Sequence, residues 1–192
     1  DDMIQTPPFI LASASPRRLQ LLKQAGLIPA QVLPADIDET PHKAEIPTAY
    51  AARIAASKAQ KIAAENPDAM ILAADTVVAL GRRILPKAED EKTATTCLRL
   101  LNGRRHRVHT AVTLQQGARA RHLLVTTHVK MKRLTEKNIT AYIATGEWRG
   151  KAGGYGIQGV AESFIPFISG SYSNVVGLPL AETVQLLAGF KL

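Results

Sequence analysis

Two hydroxyl and two guanidinium side chains stand together in the segment Ser13-Ala14-Ser15-Pro16-Arg17-Arg18. Ser15 is a favourable N-cap and Pro16 suits the first helical position, so the segment predicts a turn from a strand into a helix. A helix N-terminus presents N–H groups and partial positive charge, and the arginine fork matches phosphate oxygens. The turn therefore predicts a phosphate site, with a simple helix cap beside solvated arginines as the alternative. It is not a P-loop, because no G-x-x-x-x-G-K-[ST] occurs in the chain.

Asp75 is the one acid in the apolar run 70–78, where an unpaired carboxylate is costly to bury. Such a group needs a cation, a metal or hydrogen bonds, and at a strand end it could hold Mg²⁺ or act as a general base. A structural, hydrogen-bonded Asp is the alternative. The segment Asp36-Ile37-Asp38-Glu39 either adds oxygen ligands for a hard divalent ion or is a polar loop. Lys58 and Lys87 either neutralise phosphate charge or are surface lysines.

Residues 151–159 contain four glycines, which permit close backbone approach. Gln158 in this segment can offer a donor and an acceptor to a base edge, although a flexible surface loop is the alternative. Residues 171–174 follow, at the predicted start of the last helix. No G-x-S-x-G elbow supports a Ser–His–Asp triad. The five histidines lack a metal-binding spacing and are predicted to face solvent: His42, His106, His109, His122 and His128.

Hydrophobic periodicity predicts the elements that must position these side chains. A buried strand at 9–12 leads into the Ser13–Arg18 turn, and a long apolar strand at 70–80 carries Asp75. Strands that alternate with helices early in the chain, and antiparallel strands later, predict a mixed α/β sheet. The other predicted elements are helices at 16–25, 47–64, 89–101, 135–145 and 180–188, a short strand at 84–85, and a hairpin across 107–132 that turns at 115–118.

Composition places the chain among ordinary globular proteins. It has 192 residues, 46% of them hydrophobic and 21% charged, which excludes a disordered tail, a coiled coil and a collagen-like fibre. The length suits one domain, or one domain with two lobes. No apolar run approaches the roughly 20 residues of a membrane span, and Asp1 and Asp2 stand where a secretory signal carries bases. The single cysteine, Cys97, excludes an intrachain disulfide, so we expect a cytoplasmic protein without a membrane partner.

The net charge of +8 is concentrated in the second half of the chain. Residues 1–96 hold 11 basic and 12 acidic side chains, whereas residues 97–192 hold 13 and 4. Between Arg99 and Arg133 there are nine Lys or Arg and no acid. Such a stretch either attracts a polyanion or is a solvated face. A dedicated nucleic-acid-binding module is disfavoured, because the chain has only 5% aromatic residues and no RRM, KH or zinc-finger pattern.

Taken in order, these motifs resemble the Maf family of nucleoside triphosphate pyrophosphatases. The resemblance spans nearly the whole chain, and its ordered set of motifs is far more specific than any one of them. It departs at Pro86-Lys87-Ala88, where the family often has Gly-Lys-Pro. The motifs are Leu11-Ala12-Ser13-Ala14-Ser15-Pro16-Arg17-Arg18, Asp38-Glu39-Thr40, residues 55–59 with Lys58, Ala74-Asp75-Thr76-Val77-Val78, residues 84–87, His106-Arg107-Val108-His109-Thr110, residues 151–159 and residues 170–180.

The resemblance implies a fold and a reaction. The fold is α/β, similar to the Maf and inosine-triphosphatase folds, with a mixed central sheet, flanking helices and two lobes around a cleft. It implies a single domain over residues 1–192, with residues 1–8 as a loose extension. The reaction is hydrolysis of the α–β phosphoanhydride of a nucleoside triphosphate, which cleans the nucleotide pool. A homodimer is typical of such proteins.

The resemblance also implies roles for individual residues. Asp75 would be the catalytic proton acceptor, and with Glu39 it would hold Mg²⁺ or Mn²⁺. The branch that acts on dTTP and UTP is similar at Arg17, Thr76 and Gln158, which become specificity positions. The alternative substrate class is purine nucleotides of the dITP or XTP type. The residues that match phosphate-binding positions are Ser13, Arg18, Lys58 and Lys87.

Overall fold

Seven strands form one mixed sheet in the computed structural model of this chain, which describes residues 8–190. Apart from Pro8, the predicted N-terminal extension lies outside the described residues. The sheet strands are β1 (Phe9–Leu11), β2 (Gln31–Val32), β3 (Met70–Leu80), β4 (Arg83–Leu85), β6 (Arg105–Gln116), β7 (Arg119–Lys130) and β9 (Phe167–Ser169). Strands β5 (Lys87–Ala88) and β8 (Lys151–Ala152) form a separate pair. The sheet order is β2-β1-β3-β6-β7-β9, and β4 also pairs with β3.

Within residues 8–190, six α-helices flank the sheets, and the five long ones confirm the predicted helices to within a few residues. Ser15 caps the first helix and Thr135 caps the fourth, as their sequence positions predict. No helix within residues 8–190 has the length and apolar character needed to cross a membrane. The helices are α1 (Pro16–Gln24), α2 (Pro47–Glu65), α3 (Glu91–Leu101), α4 (Glu136–Thr145), α5 (Tyr172–Val176) and α6 (Leu180–Gly189), with a 3₁₀ helix at Val160–Phe164.

Among the helices of the described residues, only α2 packs against one face of the sheet. Its contact surface consists of Ala51, Ala55 and Ala59, which are fully buried and recur every four residues on one side of the helix. Because alanine is small, the helix approaches β3 and β6 closely. The larger hydrophobic core lies on the other face, where α1, α3, α4 and α6 pack. The predicted mixed α/β architecture is confirmed.

The middle of β3 lacks a strand partner on one side. Strand β1 pairs with 70–72 of β3, and β4 pairs with 78–80, whereas β6 runs along the whole of the other edge. Between them, residues 73–77 have only β6 as a neighbour among the strands of residues 8–190. Successive side chains alternate in a strand, so Asp75 faces α2 and Thr76 faces the larger core. The sheet therefore opens at the point where these two polar residues lie.

Candidate active site

A cleft of about 440 Å³ lies at this opening. One wall is the turn from β1 into α1, and another is the two-stranded sheet, which contributes Lys87 and Lys151. The loop after β2 contributes Glu39, and the end of α5 contributes Gly177. Asp75 lies behind this cleft. The residues predicted to contact phosphate or base all line it: Ser13, Arg17, Arg18, Lys58, Thr76, Lys87 and Gln158.

Arg18 joins three parts of the cleft. It is only 8% exposed, and its Nε donates a hydrogen bond to the carbonyl of Gly177 at 2.7 Å. Its two other nitrogens donate to Ser13 Oγ at 3.2 Å and to Thr76 Oγ1 at 3.1 Å. Burial lowers the pKa of Arg18 to about 10, so the side chain keeps its charge at neutral pH. A guanidinium has five N–H donors, so Arg18 can hold these elements together and still donate to an anion.

Ser13 has a hydroxyl hydrogen available to a ligand. Its Oγ accepts from the backbone N–H of Ser15 at 3.1 Å as well as from Arg18. Because both bonds use oxygen lone pairs, the O–H itself remains able to donate. Arg17 lies half-buried beside it, and its Nε donates to the carbonyl of Val176 at 3.4 Å. Burial lowers the pKa of Arg17 from its usual value.

Lys58 lies between two carboxylates. Its Nζ is 3.4 Å from Asp75 Oδ1 and 3.2 Å from Glu39 Oε1, and Lys87 Nζ is 3.5 Å from the same Glu39 oxygen. Burial raises the pKa of Asp75, although Lys58 opposes the change. Burial also lowers the pKa of Lys58. Burial would raise the pKa of Glu39 too, but Lys58 and Lys87 outweigh it and hold that pKa below its usual range.

Asp75 lies at the centre of β3. The sequence predicted a metal or general-base role for Asp75 if it lay at the end of a strand. The gap between β1 and β4 provides the access that a strand end would have given. Asp75 is 2% exposed, and its Oδ2 is buried without a hydrogen-bond partner within the described residues. A buried carboxylate oxygen without a partner is uncommon, and a catalytic role or a bound water or ion explains it.

The carboxylates fit a metal that is shared with substrate. Within residues 8–190 no group of three or more His, Cys, Asp and Glu side chains converges, which excludes a cage built from that part of the chain alone. Mg²⁺ is usually held by one or two carboxylates together with substrate phosphates, and Glu39 and Asp75 supply such a pair. Asp38 is exposed and does not line the cleft, and its Oδ1 accepts from the backbone N–H of Thr40 at 2.9 Å. The fit is supported by the Asp75 oxygen that has no hydrogen-bond partner within the described residues.

The positions for which the family resemblance implies a role in specificity differ in how many hydrogen bonds hold their side chains. Thr76 Oγ1 accepts a hydrogen bond from Arg18. The Thr76 hydroxyl can donate either to Thr110 Oγ1 at 2.9 Å or to the carbonyl of Gly177 at 3.3 Å. The side chain of Gln158 is exposed at the cleft, with no hydrogen bond within the described residues. Thr76 is therefore fixed in place, whereas Gln158 is available to a base edge.

Sequence reasoning missed the residues that hold the loop carrying Glu39. The Tyr50 hydroxyl donates to the carbonyl of Glu39 at 2.6 Å. Arg53, one helical turn later, donates to Glu45 at 2.7 and 2.9 Å and to the carbonyl of Thr40 at 3.2 Å. The only sequence signal was the i, i+3 spacing of Tyr50 and Arg53 at the start of a helix next to an acidic loop.

Two expectations were wrong. His106 and His109 are 3% and 5% exposed, because β6 is an inner strand of the sheet: His106 faces the larger core, and His109 lies on the opposite face, where its Nδ1 is hydrogen-bonded to Thr126 Oγ1 at 2.8 Å. His106 Nε2 hydrogen-bonds the Tyr155 hydroxyl at 2.6 Å, and burial lowers the pKa of His106 to about 4. Ser171 does not open the last helix, because it caps the separate short helix α5.

The chain is similar to known proteins over nearly its whole length. The family model described as "Maf-like protein" matches residues 8–190. A dTTP/UTP pyrophosphatase of Chelativorans sp. (strain BNC1) is 59% identical over 192 residues, covering 95% of this chain and 92% of that one. A dTTP/UTP pyrophosphatase of Zymomonas mobilis is 60% identical over 180 residues, covering 93% and 89%. The Staphylococcus aureus Ham1 protein has a solved structure that is 14% identical, with a TM-score of 0.48 over 65% of this chain and 72% of that one.

Proposed function

Since the chain belongs to the Maf family, we propose that it is a nucleoside triphosphate pyrophosphatase that hydrolyses dTTP and UTP. The products are the nucleoside monophosphate and pyrophosphate, and the reaction removes these nucleotides from the pool. One observation carries the proposal: a cleft in which cations from three elements surround a buried carboxylate. No observation favours the purine nucleotides or a non-catalytic role over this reaction.

The substrate brings several negative charges, so charge neutralisation and positioning dominate catalysis. In our proposal the N–H groups at the start of α1, the Ser13 hydroxyl and the guanidinium of Arg18 bind phosphate oxygens. Lys58 and Lys87 complete the cationic wall. Lys58 exchanges part of its contact with Asp75 and Glu39 for contact with phosphate when substrate enters. This exchange couples substrate binding to exposure of the Asp75 carboxylate.

We propose Asp75 as the proton acceptor for the attacking water. Burial raises its pKa toward the pH at which a general base is most effective, and its Oδ2 has no competing partner among residues 8–190. Glu39 and Asp75 would hold Mg²⁺ or Mn²⁺ together with the phosphates. When bound, such an ion would neutralise phosphate charge. Arg17, Thr76 and Gln158 would read the pyrimidine.

Replacing Asp75 with Asn tests the proposal, because this change removes the charge and keeps the shape. We expect pyrophosphate release from dTTP and UTP to fall by about 10²- to 10⁴-fold with either metal. Asp38→Asn is the matched control: it removes a nearby exposed carboxylate and should leave turnover close to normal. The same assay includes dITP, which the unmodified protein should hydrolyse more slowly than dTTP and UTP. Near-normal turnover by a folded Asp75→Asn protein would refute the assignment.

We also propose three properties of the whole protein from its sequence and its family resemblance. It forms one domain over residues 1–192, it works in the cytoplasm, where nucleoside triphosphates are found, and it assembles as a homodimer. The buried thiol of Cys97 is compatible with a reducing compartment.

A further inference from the structure

The basic stretch that catalysis does not use is divided between the two faces of the sheet. Strand register aligns Arg107 with His128 and Ser169, and it aligns Arg105 with Lys130 and Phe167. Val77 of β3 packs against Ala51 and Ala55 of α2. Ala79 lies two residues further along β3, on the same face, and pairs with Arg107, so these two rows lie on the face against which α2 packs. We call this surface the basic sheet face. It consists of Arg105, Arg107, His128, Lys130, Phe167 and Ser169.

The basic sheet face is exposed to solvent. All six of its residues are exposed, and Phe167 is 48% exposed, which is unusual for a large aromatic side chain. Arg105, Arg107 and Lys130 form no salt bridge with any carboxylate of residues 8–190. The guanidinium of Arg105 lies 5.6 Å from the centre of the Phe167 ring. Helix α2 covers β3 and part of β6 but leaves these rows open.

The face combines the two features that bind single-stranded nucleic acid. Cations two residues apart on a strand are separated by about 6.6 Å and form a track for a phosphate backbone. An exposed aromatic ring on a sheet stacks on any unpaired base, and the neighbouring arginine adds a cation–π contact. The sequence pI of 9.8 adds long-range attraction for a polyanion. A symmetric contact with a second copy is disfavoured, since it would place arginines of both copies together.

We propose that the basic sheet face binds single-stranded nucleic acid as a second ligand, independently of the nucleotide cleft. Val108 lines the cleft, and it points to the opposite side of β6 from its neighbour Arg107. Asp75 lies on the same face of the sheet as the basic rows, but none of the six residues of the basic sheet face lines the cleft, so the two sites share no residue. The sequence argued against a dedicated nucleic-acid-binding module, and the proposal is instead a secondary surface on an enzyme.

Fluorescence anisotropy with labelled oligo(U) and oligo(dT) of about 12 nucleotides tests the proposal between about 50 and 200 mM salt. For single strands the slope of log affinity against log salt is about −0.7 per phosphate contact, so the triple variant R105Q/R107Q/K130Q should make the slope shallower by about 2. Phe167→Ala should weaken binding about fivefold or more with an unchanged slope. The control K23Q/K92Q/K137Q removes the same charge from exposed positions on α1, α3 and α4 and should bind nearly as the unmodified protein does.

The proposal fails if the unmodified protein does not bind at low salt, or if the control variant loses as much affinity as R105Q/R107Q/K130Q. It also fails if dTTP competes with the oligonucleotide, because binding would then be in the cleft. Light scattering measures the oligomeric state. If the unmodified protein is a dimer and R105Q/R107Q/K130Q is a monomer, the basic sheet face is a contact between two copies and the proposal is wrong. Unchanged dTTP hydrolysis by R105Q/R107Q/K130Q supports the proposal and shows that its outcome is separate from that of the proposed enzymatic function.

Discussion

Arg18 shows how one side chain can organise the candidate site. Its three hydrogen bonds reach the turn after β1, the middle of β3 and the end of α5. Gly177 is 159 residues away in sequence and yet accepts the shortest of these bonds. A planar fork can satisfy all three acceptors at once, whereas a single ammonium group cannot span the same positions. Arg18 therefore holds these three elements together and also supplies positive charge to the cleft.

Replacing Arg18 with Lys should lower the free energy of unfolding by about 1–3 kcal/mol, because buried acceptors lose their donors while the charge is kept. We also expect a lower kcat/KM for dTTP, since Ser13 and Thr76 lose a shared donor. Urea unfolding and steady-state kinetics measure the two effects. Arg17→Lys is the comparison, because Arg17 makes one long bond and its replacement should cost below about 1 kcal/mol. Equal losses in both variants would contradict this account.

The start of α2 positions the loop that carries Glu39. Tyr50 fixes the backbone of Glu39, and Arg53 fixes the loop further along through Glu45 and Thr40. Arg53 hydrogen-bonds to Glu45 and holds the pKa of that carboxyl at about 2, so the contact stays charged throughout the physiological range. The helix thus brings Lys58 to the sheet and holds one of its carboxylate partners in reach.

Tyr50→Phe should weaken metal binding because the Glu39 loop loses its hydroxyl donor. We expect the Mn²⁺ concentration for half-saturation to rise by about tenfold or more, the size of effect seen when an outer partner of a ligand is removed. Electron paramagnetic resonance of Mn²⁺ in the presence of a nucleotide measures binding without turnover. Tyr172→Phe removes an exposed hydroxyl on α5 and should leave the titration unchanged. If the Tyr50→Phe titration matches that of the unmodified protein, the Tyr50 contact to the Glu39 loop does not contribute to metal binding.

At the scale of the whole molecule, the sheet separates three environments. The gap in β3 opens the cleft, the basic sheet face lies beyond α2, and the larger core covers the remaining face. His106 lies in that core against Tyr155. Its pKa of about 4 is below the ordinary 6.5, so the native state binds this proton less readily than the unfolded chain does. The contribution of His106 to stability is therefore present above pH 6.5 and is lost as the pH falls toward 4.

Acid should destabilise the protein partly through His106. Each pKa unit corresponds to about 1.4 kcal/mol, so this residue accounts for a loss of about 3 kcal/mol between pH 7 and pH 4. Urea unfolding at several pH values should show a smaller loss for His106→Gln than for the unmodified protein. His128→Gln, at an exposed position, should retain the full loss. Parallel stability curves for all three proteins would refute the assignment.

The sequence by itself determined the long helices, the strand β3 and the types of side chain that line the cleft. Caps such as Ser15 and the period of the apolar residues are local signals, so they predicted the long helices and β3 without knowledge of the fold. The ordered motifs predicted which side chains belong to one family site. Each of these signals lies within a few residues of chain, where propensity and spacing suffice.

Only the tertiary structure decided how these residues meet. The gap that exposes Asp75 depends on where β1 and β4 stop along β3, and strand register is set by long-range packing. The same register sorted the acid-free basic stretch between two faces and buried His106, which the sequence had assigned to solvent. These outcomes depend on contacts between residues far apart in the chain, such as Arg18 with Gly177, and local sequence patterns carry no record of such contacts.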